Sequence, residues 1–197
     1  MHQIELFIKY PHDVQDEWFQ NLIATAQHTE WGKIHGYESI FNQEQFKERV
    51  PIQTYDSLKP YIEKMMSGEQ NVLWPSEIKW FAKSSGTTND RSKFIPVSEE
   101  SLEECHFKGG KDLLSMYCNN RPDTRIFTGK CLVLGGSHQI NQLNADSCFG
   151  DLSAVLIKNL PFWAEFYRTP DLSIALIDNF EEKVEKMAQA TIDVNVT

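Results

Sequence analysis

The sequence is poor in basic residues: it has 19 Lys and Arg against 28 Asp and Glu, a formal net charge of −9. This balance excludes a general nucleic-acid binder, because a phosphate backbone is held by a basic surface. It does not exclude a single nucleotide, since a few backbone N–H groups and one Lys can hold a triphosphate locally.

Cysteine and long apolar runs are also scarce. None of the four cysteines forms a Cys-x-x-Cys pair and no His lies at zinc-finger spacing from one, so reduced thiols are favoured over a metal site. No apolar run approaches the roughly 20 residues of a membrane helix, and the first residues do not have the pattern of a signal peptide. The sequence therefore predicts a cytoplasmic protein without a membrane partner.

What the chain does have is apolar and aromatic content. Hydrophobic residues make up 41% of its 197 residues, with twelve Phe and five Trp, which suffices for one sizeable core. Helical patterns cover 13–28, 41–50, 55–66, a long stretch after Ser98, and a last stretch from Phe180 to Thr191. Strand patterns cover 79–83, 93–97 and 131–134. The mixture predicts an α/β fold, with residues 1–197 as one domain or part of a larger one.

Local signals place the ends of these elements. Asp13 is expected to cap the first helix, Ser98 the long helix, and Asp178 or Asn179 the last one. Gly109-Gly110 predicts that the long helix either breaks there or is approached closely by another element. Cys131–Leu134 is expected to be a buried strand. On the last helix, one apolar face is predicted to join Phe180, Val184, Met187, Ala188 and Thr191.

The stretch with chemical content runs from Phe81 to Pro96. A strand feeds the polar loop Ser84-Ser85-Gly86-Thr87-Thr88, and Lys93 opens the next strand. Gly86 allows backbone N–H groups to turn inward, the hydroxyls add uncharged donors, and Lys93 supplies a fixed cation, as a phosphate site requires. The short connection predicts a hairpin of adjacent antiparallel strands, with Ser85 to Thr88 exposed at one end.

An ordinary hairpin loop is the alternative, because Ser, Thr, Gly, Asn and Asp all favour turns. The Walker A pattern is absent, and no helix begins directly after the loop. Composition alone does not separate a phosphate loop from a simple turn.

The loop resembles a known motif. Ser84 to Thr88, followed by Lys93 and Pro96, looks like the first ATP-binding motif of the adenylate-forming superfamily. In its SSGTT form after a Trp-Phe strand, it resembles the auxin-responsive (Gretchen Hagen) acyl-acid amido synthetases. The likeness extends to 29–32, 46–61, 68–69 and 72–74, and 160–163 and 169–172 fit bacterial members of that family.

One departure concerns the residues directly after the motif. The family commonly places Gly there, whereas this chain has Asn89-Asp90-Arg91. Asn and Asp tolerate the left-handed conformation, so the turn is preserved. Asp90 adds a negative charge near the expected triphosphate; it either points away or is offset by Arg91.

The resemblance implies an incomplete N-terminal large domain of an adenylate-forming enzyme, a mixed sheet with flanking helices. It further implies a reaction in which ATP, with Mg²⁺, activates a small carboxylic acid as an acyl-adenylate, which an amino acid then converts to an amide. Ser84, Ser85, Gly86, Thr87, Thr88 and Lys93 would hold the phosphates. Adenine contacts and a mobile domain lie later in such enzymes, so the chain is expected to be truncated, inactive alone and able to self-associate through the exposed face.

Two other functions stay open. The first is a non-catalytic remnant or interaction module that keeps the fold without binding nucleotide. The second, less favoured, is a different adenylate-forming enzyme such as an acyl-CoA ligase, which usually carries Gly-x-Pro before the lysine. No catalytic residue is assigned.

Three further features are assigned ordinary roles. His138 is interpreted as a loop histidine rather than part of an acyl pocket, and Arg168 as a surface residue among aromatics rather than a carboxylate ligand. The charged run from Glu181 to Lys186 is interpreted as a solvated helix face.

Overall fold

The fold places a four-stranded mixed sheet at the centre of the chain and helices on both of its faces. A computed structural model describes residues 2–84, 92–134 and 140–197. Within them the α-helices are α1 (His2–Lys9), α2 (Pro11–Ala26), α3 (Glu30–Ile34), α4 (Gln43–Arg49), α5 (Tyr55–Met66), α6 (Lys108–Asn120), α7 (Leu152–Lys158), α8 (Leu172–Ala175) and α9 (Phe180–Thr191). The strands are β1 (Trp80–Lys83), β2 (Phe94–Val97), β3 (Cys131–Leu132), β4 (Asn141–Gln142), β5 (Cys148–Gly150) and β6 (Arg168–Thr169). Ser101–Phe107 is π-helical, and Tyr37–Ser39 and Phe162–Tyr167 are 3₁₀-helical.

The main sheet has the strand order β2-β1-β5-β4, and β3 pairs with β6 in a separate two-stranded sheet. Strand β1 is antiparallel to β2 and parallel to β5, and β4 is antiparallel to β5. The mixed sheet with flanking helices predicted for the fold class is therefore confirmed.

Both faces of β1 are covered, which fixes the strand that leads into the candidate loop. Phe81 is fully buried and packs with Ile62 and Met65 of α5, whereas Ala82 points the other way, toward Leu102 and Val155. Successive side chains of a strand alternate between faces, so two neighbouring residues can serve two cores.

The predicted hairpin is confirmed. Strand β1 pairs with β2 in the register Trp80↔Val97 to Lys83↔Phe94, within one residue of the predicted strand limits. The predicted exposure of Ser85 to Thr88 falls on residues outside the described ranges.

Among the helices, α5 spans the predicted residues and begins with a capping box between Thr54 and Ser57. The expected cap at Asp13 is wrong: α2 begins at Pro11, directly after Tyr10, and no side chain caps it. Proline is preorganised for the first helical position, where its missing N–H costs nothing, so it sets the start instead.

The long helix behaves differently from either expectation. Ser98 Oγ accepts a hydrogen bond from the Ser101 N–H at 3.1 Å, as a cap should, and the helical stretch runs over 99–120. The helix continues through Gly109 and Gly110. Apart from the neighbouring backbone of the helix itself, no described atom lies within 4 Å of the position that a Cβ would take at either glycine. The glycines therefore border open grooves rather than a break or a close contact.

Two predictions near the end of the chain are wrong in part. Strand β3 is exposed rather than buried: both of its residues are open to solvent, and among the described strands it pairs with β6. On α9, Asn179 is the cap, but the buried residues are Lys183 and Met187, whereas Phe180 and Val184 are exposed. The charged run from Glu181 to Lys186 is therefore not wholly solvated, because Lys183 lies on the same buried face of α9 as Met187.

Candidate phosphate-binding loop

Two of the predicted site residues, Ser84 and Lys93, lie in the described part of the chain; Ser85, Gly86, Thr87 and Thr88 lie outside it. Ser84 follows β1 and Lys93 precedes β2. The two residues face each other where the chain leaves the sheet and returns to it. The structure therefore describes the base of the predicted loop.

Two hydrogen bonds close this base. The Ser84 N–H donates to the Lys93 carbonyl at 2.9 Å, and the Lys93 N–H donates to Ser84 Oγ at 3.1 Å. The sequence suggested Ser84 only as a donor to phosphate, whereas here its oxygen accepts from the backbone. A hydroxyl that accepts one hydrogen bond keeps its own hydrogen, so Ser84 can still donate to a ligand.

Tyr55 is the third residue of this base, and sequence reasoning gave it no role. Its hydroxyl accepts a hydrogen bond from the Phe94 N–H at 2.8 Å, and its ring centre lies 5.6 Å from Lys93 Nζ. The second distance lies within the range of a cation–π contact. We call Ser84, Lys93 and Tyr55 the neck of the loop.

The sheet topology brings further polar residues to the same edge. Because β1 and β5 are parallel, with Ala82 opposite Gly150, the chain leaves both strands at one edge. Asp151 follows β5 directly, and Asn141 lies opposite Phe149 on β4. Ligands of open α/β sheets bind outside the carboxyl ends of such strands. The sequence did not predict β4 and β5, so neither polar residue could be placed there.

An open groove lies on one side of the long helix, with Phe7, Trp18 and Trp74 among its apolar walls. Glu100 stands at this groove and accepts a hydrogen bond from Ser76 Oγ at 2.8 Å. Burial acts to raise the pKa of Glu100, but hydrogen bonds from a backbone N–H and nearby side chains outweigh it and lower the pKa below its ordinary value. Glu100 is thus held as a carboxylate by its own neighbours.

Arg168 and His138 were the other residues considered. Arg168 is not on the surface: its side chain is 3% exposed, and Nη2 donates to Glu165 Oε2 at 2.7 Å. Nη1 donates to the Pro170 carbonyl at 3.1 Å, so the carboxylate that Arg168 meets belongs to the chain itself. His138 lies outside the described residues.

Residues 2–84, 92–134 and 140–197 contain no cluster of three or more His, Cys, Asp or Glu side chains suited to binding a metal ion. They also contain no helix that is both long enough and apolar enough to cross a membrane.

Comparison with known proteins settles the family. The sequence model described as "GH3 family N-terminal domain" matches residues 1–197. The chain belongs to the GH3 family. Its GH3 relatives include the indole-3-acetic acid-amido synthetase GH3.6 of Arabidopsis thaliana, 33% identical over 92 residues, which are 46% of this chain and 15% of the relative. The jasmonoyl-L-amino acid synthetase JAR6 of Nicotiana attenuata is 31% identical over 91 residues, 46% of this chain and 16% of that one.

A solved GH3 structure has the same fold. The GH3.15 acyl acid amido synthetase superposes on 97% of this chain with a TM-score of 0.75, at 17% sequence identity, and 33% of its own length is covered. The chain thus spans about a third of that structure. The names of these three relatives describe amide-forming ligases. The resemblance of 160–163 and 169–172 to bacterial members of the family stays a prediction.

Proposed function

We propose that this chain supplies the ATP-phosphate-binding part of a ligase that adenylates a carboxylic acid and joins it to an amino acid. The observation that carries the proposal is the neck. It brings Lys93 and Ser84 together at the base of the Ser/Thr/Gly loop, where the Lys93 backbone N–H donates to Ser84 Oγ, at the carboxyl end of β1. Membership in a family of acyl-acid amido synthetases supplies the reaction class.

In the proposed reaction the acid's carboxylate oxygen attacks the α-phosphorus of ATP, and pyrophosphate leaves. The amino acid's amine then attacks the acyl carbon, and AMP leaves. Negative charge on the phosphates must be offset during the first step, which is chiefly an electrostatic task. Lys93 would donate to non-bridging oxygens, the loop hydroxyls and N–H groups would hold the phosphates, and Mg²⁺ carried by ATP would offset further charge.

The residues of the neck fit this task. Ser84 keeps a hydrogen to donate beyond its backbone contact, and Lys93 lies directly before β2. In general, the backbone N–H groups of a short loop between two paired strands can converge on one anion. Ser85, Gly86, Thr87 and Thr88 complete the proposed site.

We further propose that residues 1–197 form a single part of the adenylation domain and do not complete both steps alone. The support is that the chain covers 33% of the solved relative. The acid and amino acid would then be bound with the help of other parts of a full enzyme. The cytoplasmic location remains a prediction from the sequence.

Titration of the chain with Mg-ATP tests the proposal. We expect saturable heat in isothermal titration calorimetry, with a dissociation constant in the millimolar range because adenine contacts are not expected within this chain. Mg-pyrophosphate should compete, since the phosphates carry the contacts. A chain that gives no saturation with either compound up to about 10 mM, equivalent to less than roughly 3 kcal/mol of binding, would contradict the proposal.

An interaction module is the second candidate, and the exposed apolar surface favours it. Phe162 is 80% and Phe166 69% exposed, and Phe127, Leu132 and Trp163 are also exposed. Phe127 and Trp163 line the same open groove, and monomeric proteins rarely leave a large contiguous apolar surface exposed unless it binds something. Nucleotide binding separates the candidates, because an interaction module needs none.

The same surface predicts self-association. The apolar face of the last helix, around Phe180, Val184 and Met187, is the surface from which self-association is predicted. Met187 is buried, however, so the 3₁₀ segment Phe162–Tyr167 is the larger source of exposed apolar area. Sedimentation velocity should show a concentration-dependent shift to dimer or higher species. The substitution Phe166→Asp should reduce the shift, whereas Ile52→Asp, at a fully exposed residue of the α4–α5 connection, should not. A single monomeric boundary at high micromolar concentration would be the opposite result.

A further inference from the structure

We propose that Tyr55 is a positioning residue for phosphate binding: it holds the Lys93 ammonium at the neck through its ring and holds the start of β2 through its hydroxyl. The inference rests on the proposed function, because it assigns Tyr55 a task only if Lys93 meets phosphate. Tyr55 itself is not proposed to touch the nucleotide.

Tyr55 has two contacts with adjacent residues of the loop's return. Its hydroxyl accepts from the Phe94 N–H at 2.8 Å, and its ring centre is 5.6 Å from Lys93 Nζ. The first contact fixes the backbone where Lys93 leaves the loop, and the second limits where the end of the Lys93 side chain can lie. A side chain that is held both at its backbone and at its terminal group samples fewer conformations.

Tyr55 is itself well anchored. It is the first residue of α5, directly after the Thr54 cap, and its side chain packs against the core cluster that contains Phe81 and Met65. That cluster also fixes β1, the strand on the other side of the neck. One packed core thus sets the positions of Tyr55 and of the strand that leads to Ser84.

The chemistry of the contact suits an anion site. A lysine carries its charge on a flexible four-carbon stem, so a phosphate contact gains from holding that stem in advance. The aromatic ring attracts the ammonium without bringing a formal negative charge toward the phosphate. Lys64, in the same helix as Tyr55, forms a second lysine–aromatic pair with Tyr61 and is bound by Glu30 at 2.6 Å, which raises the pKa of Lys64.

A double-mutant cycle tests the inference, with Mg-ATP as the probe and calorimetry as the readout, in this chain and in a full-length relative that carries the same tyrosine and loop, where tighter binding keeps the double variant measurable. Tyr55→Leu should weaken binding by about five- to tenfold, the range expected from one partly buried cation–π contact and the mobility that its loss restores. In the Lys93→Ala background the same substitution should change binding less than about twofold, because a residue that acts through Lys93 has nothing left to position.

Two variants separate positioning from packing. Tyr55→Phe keeps the contact between the ring and the Lys93 ammonium and loses only the bond to Phe94, so it should lose only part of the affinity that Tyr55→Leu loses. Tyr61→Leu is the matched control: it removes a tyrosine of the same helix that also packs on the core and lies 5.8 Å from a lysine ammonium, but its lysine is Lys64. It should lower the melting temperature without changing Mg-ATP affinity. If Tyr55→Leu does not fold, Tyr55→Met replaces it in the cycle.

The outcomes are distinct. If Lys93→Ala weakens Mg-ATP binding but Tyr55→Leu leaves it unchanged, the inference is overturned and the proposed function stands. Equal losses from Tyr55→Leu with and without Lys93 would also overturn it, because they indicate a general structural role. No effect of Lys93→Ala would overturn the proposed function and this inference with it. The expected result has three parts. Tyr55→Leu weakens Mg-ATP binding, Tyr55→Phe retains more of the affinity, and Tyr55→Leu causes no further loss in the Lys93→Ala background.

Discussion

Lys93→Ala is expected to weaken Mg-ATP binding by about ten- to a hundredfold, because losing one charge-assisted hydrogen bond costs roughly 1.5–3 kcal/mol. The structure places Lys93 where this effect should arise, at the base of the loop beside Ser84. Calorimetry with Mg-ATP on wild type and variant measures the effect. Because the affinity of this chain alone is expected to be low, the comparison should be repeated in a full-length relative with the same loop.

A structural role for Lys93 predicts otherwise. Strand β2 is at one edge of the described sheet, and a lysine at a sheet edge protects against edge-to-edge pairing. In that case Lys93→Ala would raise aggregation and leave nucleotide affinity unchanged. Affinity equal to that of the wild type, in this chain and in the full-length relative, would reject the assignment of the loop.

The control for this experiment must be chosen from the structure. Thr29 is distant from the loop in sequence, but it is fully buried. Its hydroxyl donates to the Ala26 carbonyl at 2.7 Å and accepts from the Gly32 N–H at 2.9 Å. Thr29→Ala would disturb the cap of α3 and the fold. Lys79→Ala is the better match, since Lys79 is an exposed lysine just before β1, paired with Glu77 at 2.9 Å. It should leave Mg-ATP affinity unchanged.

Phe81→Ala is expected to lower the free energy of unfolding by about 3–5 kcal/mol, a large share of the stability of a typical domain. Phe81 is fully buried in the cluster between β1 and α5, and its strand neighbours are Pro96 and Phe149. Alanine would leave a cavity on the face of the sheet that also anchors Tyr55. Urea unfolding followed by tryptophan fluorescence measures the change.

Two companion variants make this result interpretable. Ile52→Ala, at a fully exposed apolar residue, should change the free energy of unfolding by no more than about 0.5 kcal/mol. Phe81→Leu should cost less than Phe81→Ala, because more of the buried volume remains. A cost below about 1 kcal/mol for Phe81→Ala would mean that the cluster under α5 is not the main core.

The sequence by itself determined the local features of this protein. It placed α5 at Tyr55–Met66, the β1–β2 hairpin within one residue, and the last helix with a cap at Asp178 or Asn179, of which Asn179 is the one observed. It also pointed to the family, which the match over residues 1–197 confirms. These features were predictable because caps, turns and short hairpins depend on residues close together in the chain.

Only the tertiary structure decided what meets across long separations. Tyr55 and Phe94 are 39 residues apart, and no spacing pattern indicates that one would accept a hydrogen bond from the other. Asn141 and Asp151 lie at the same end of the sheet as Ser84 only because β5 pairs in parallel with β1 and β4 pairs with β5. Lys183 and Arg168 resemble surface residues in the sequence but are buried, because burial depends on which helix or strand packs over them and not on the residue type alone.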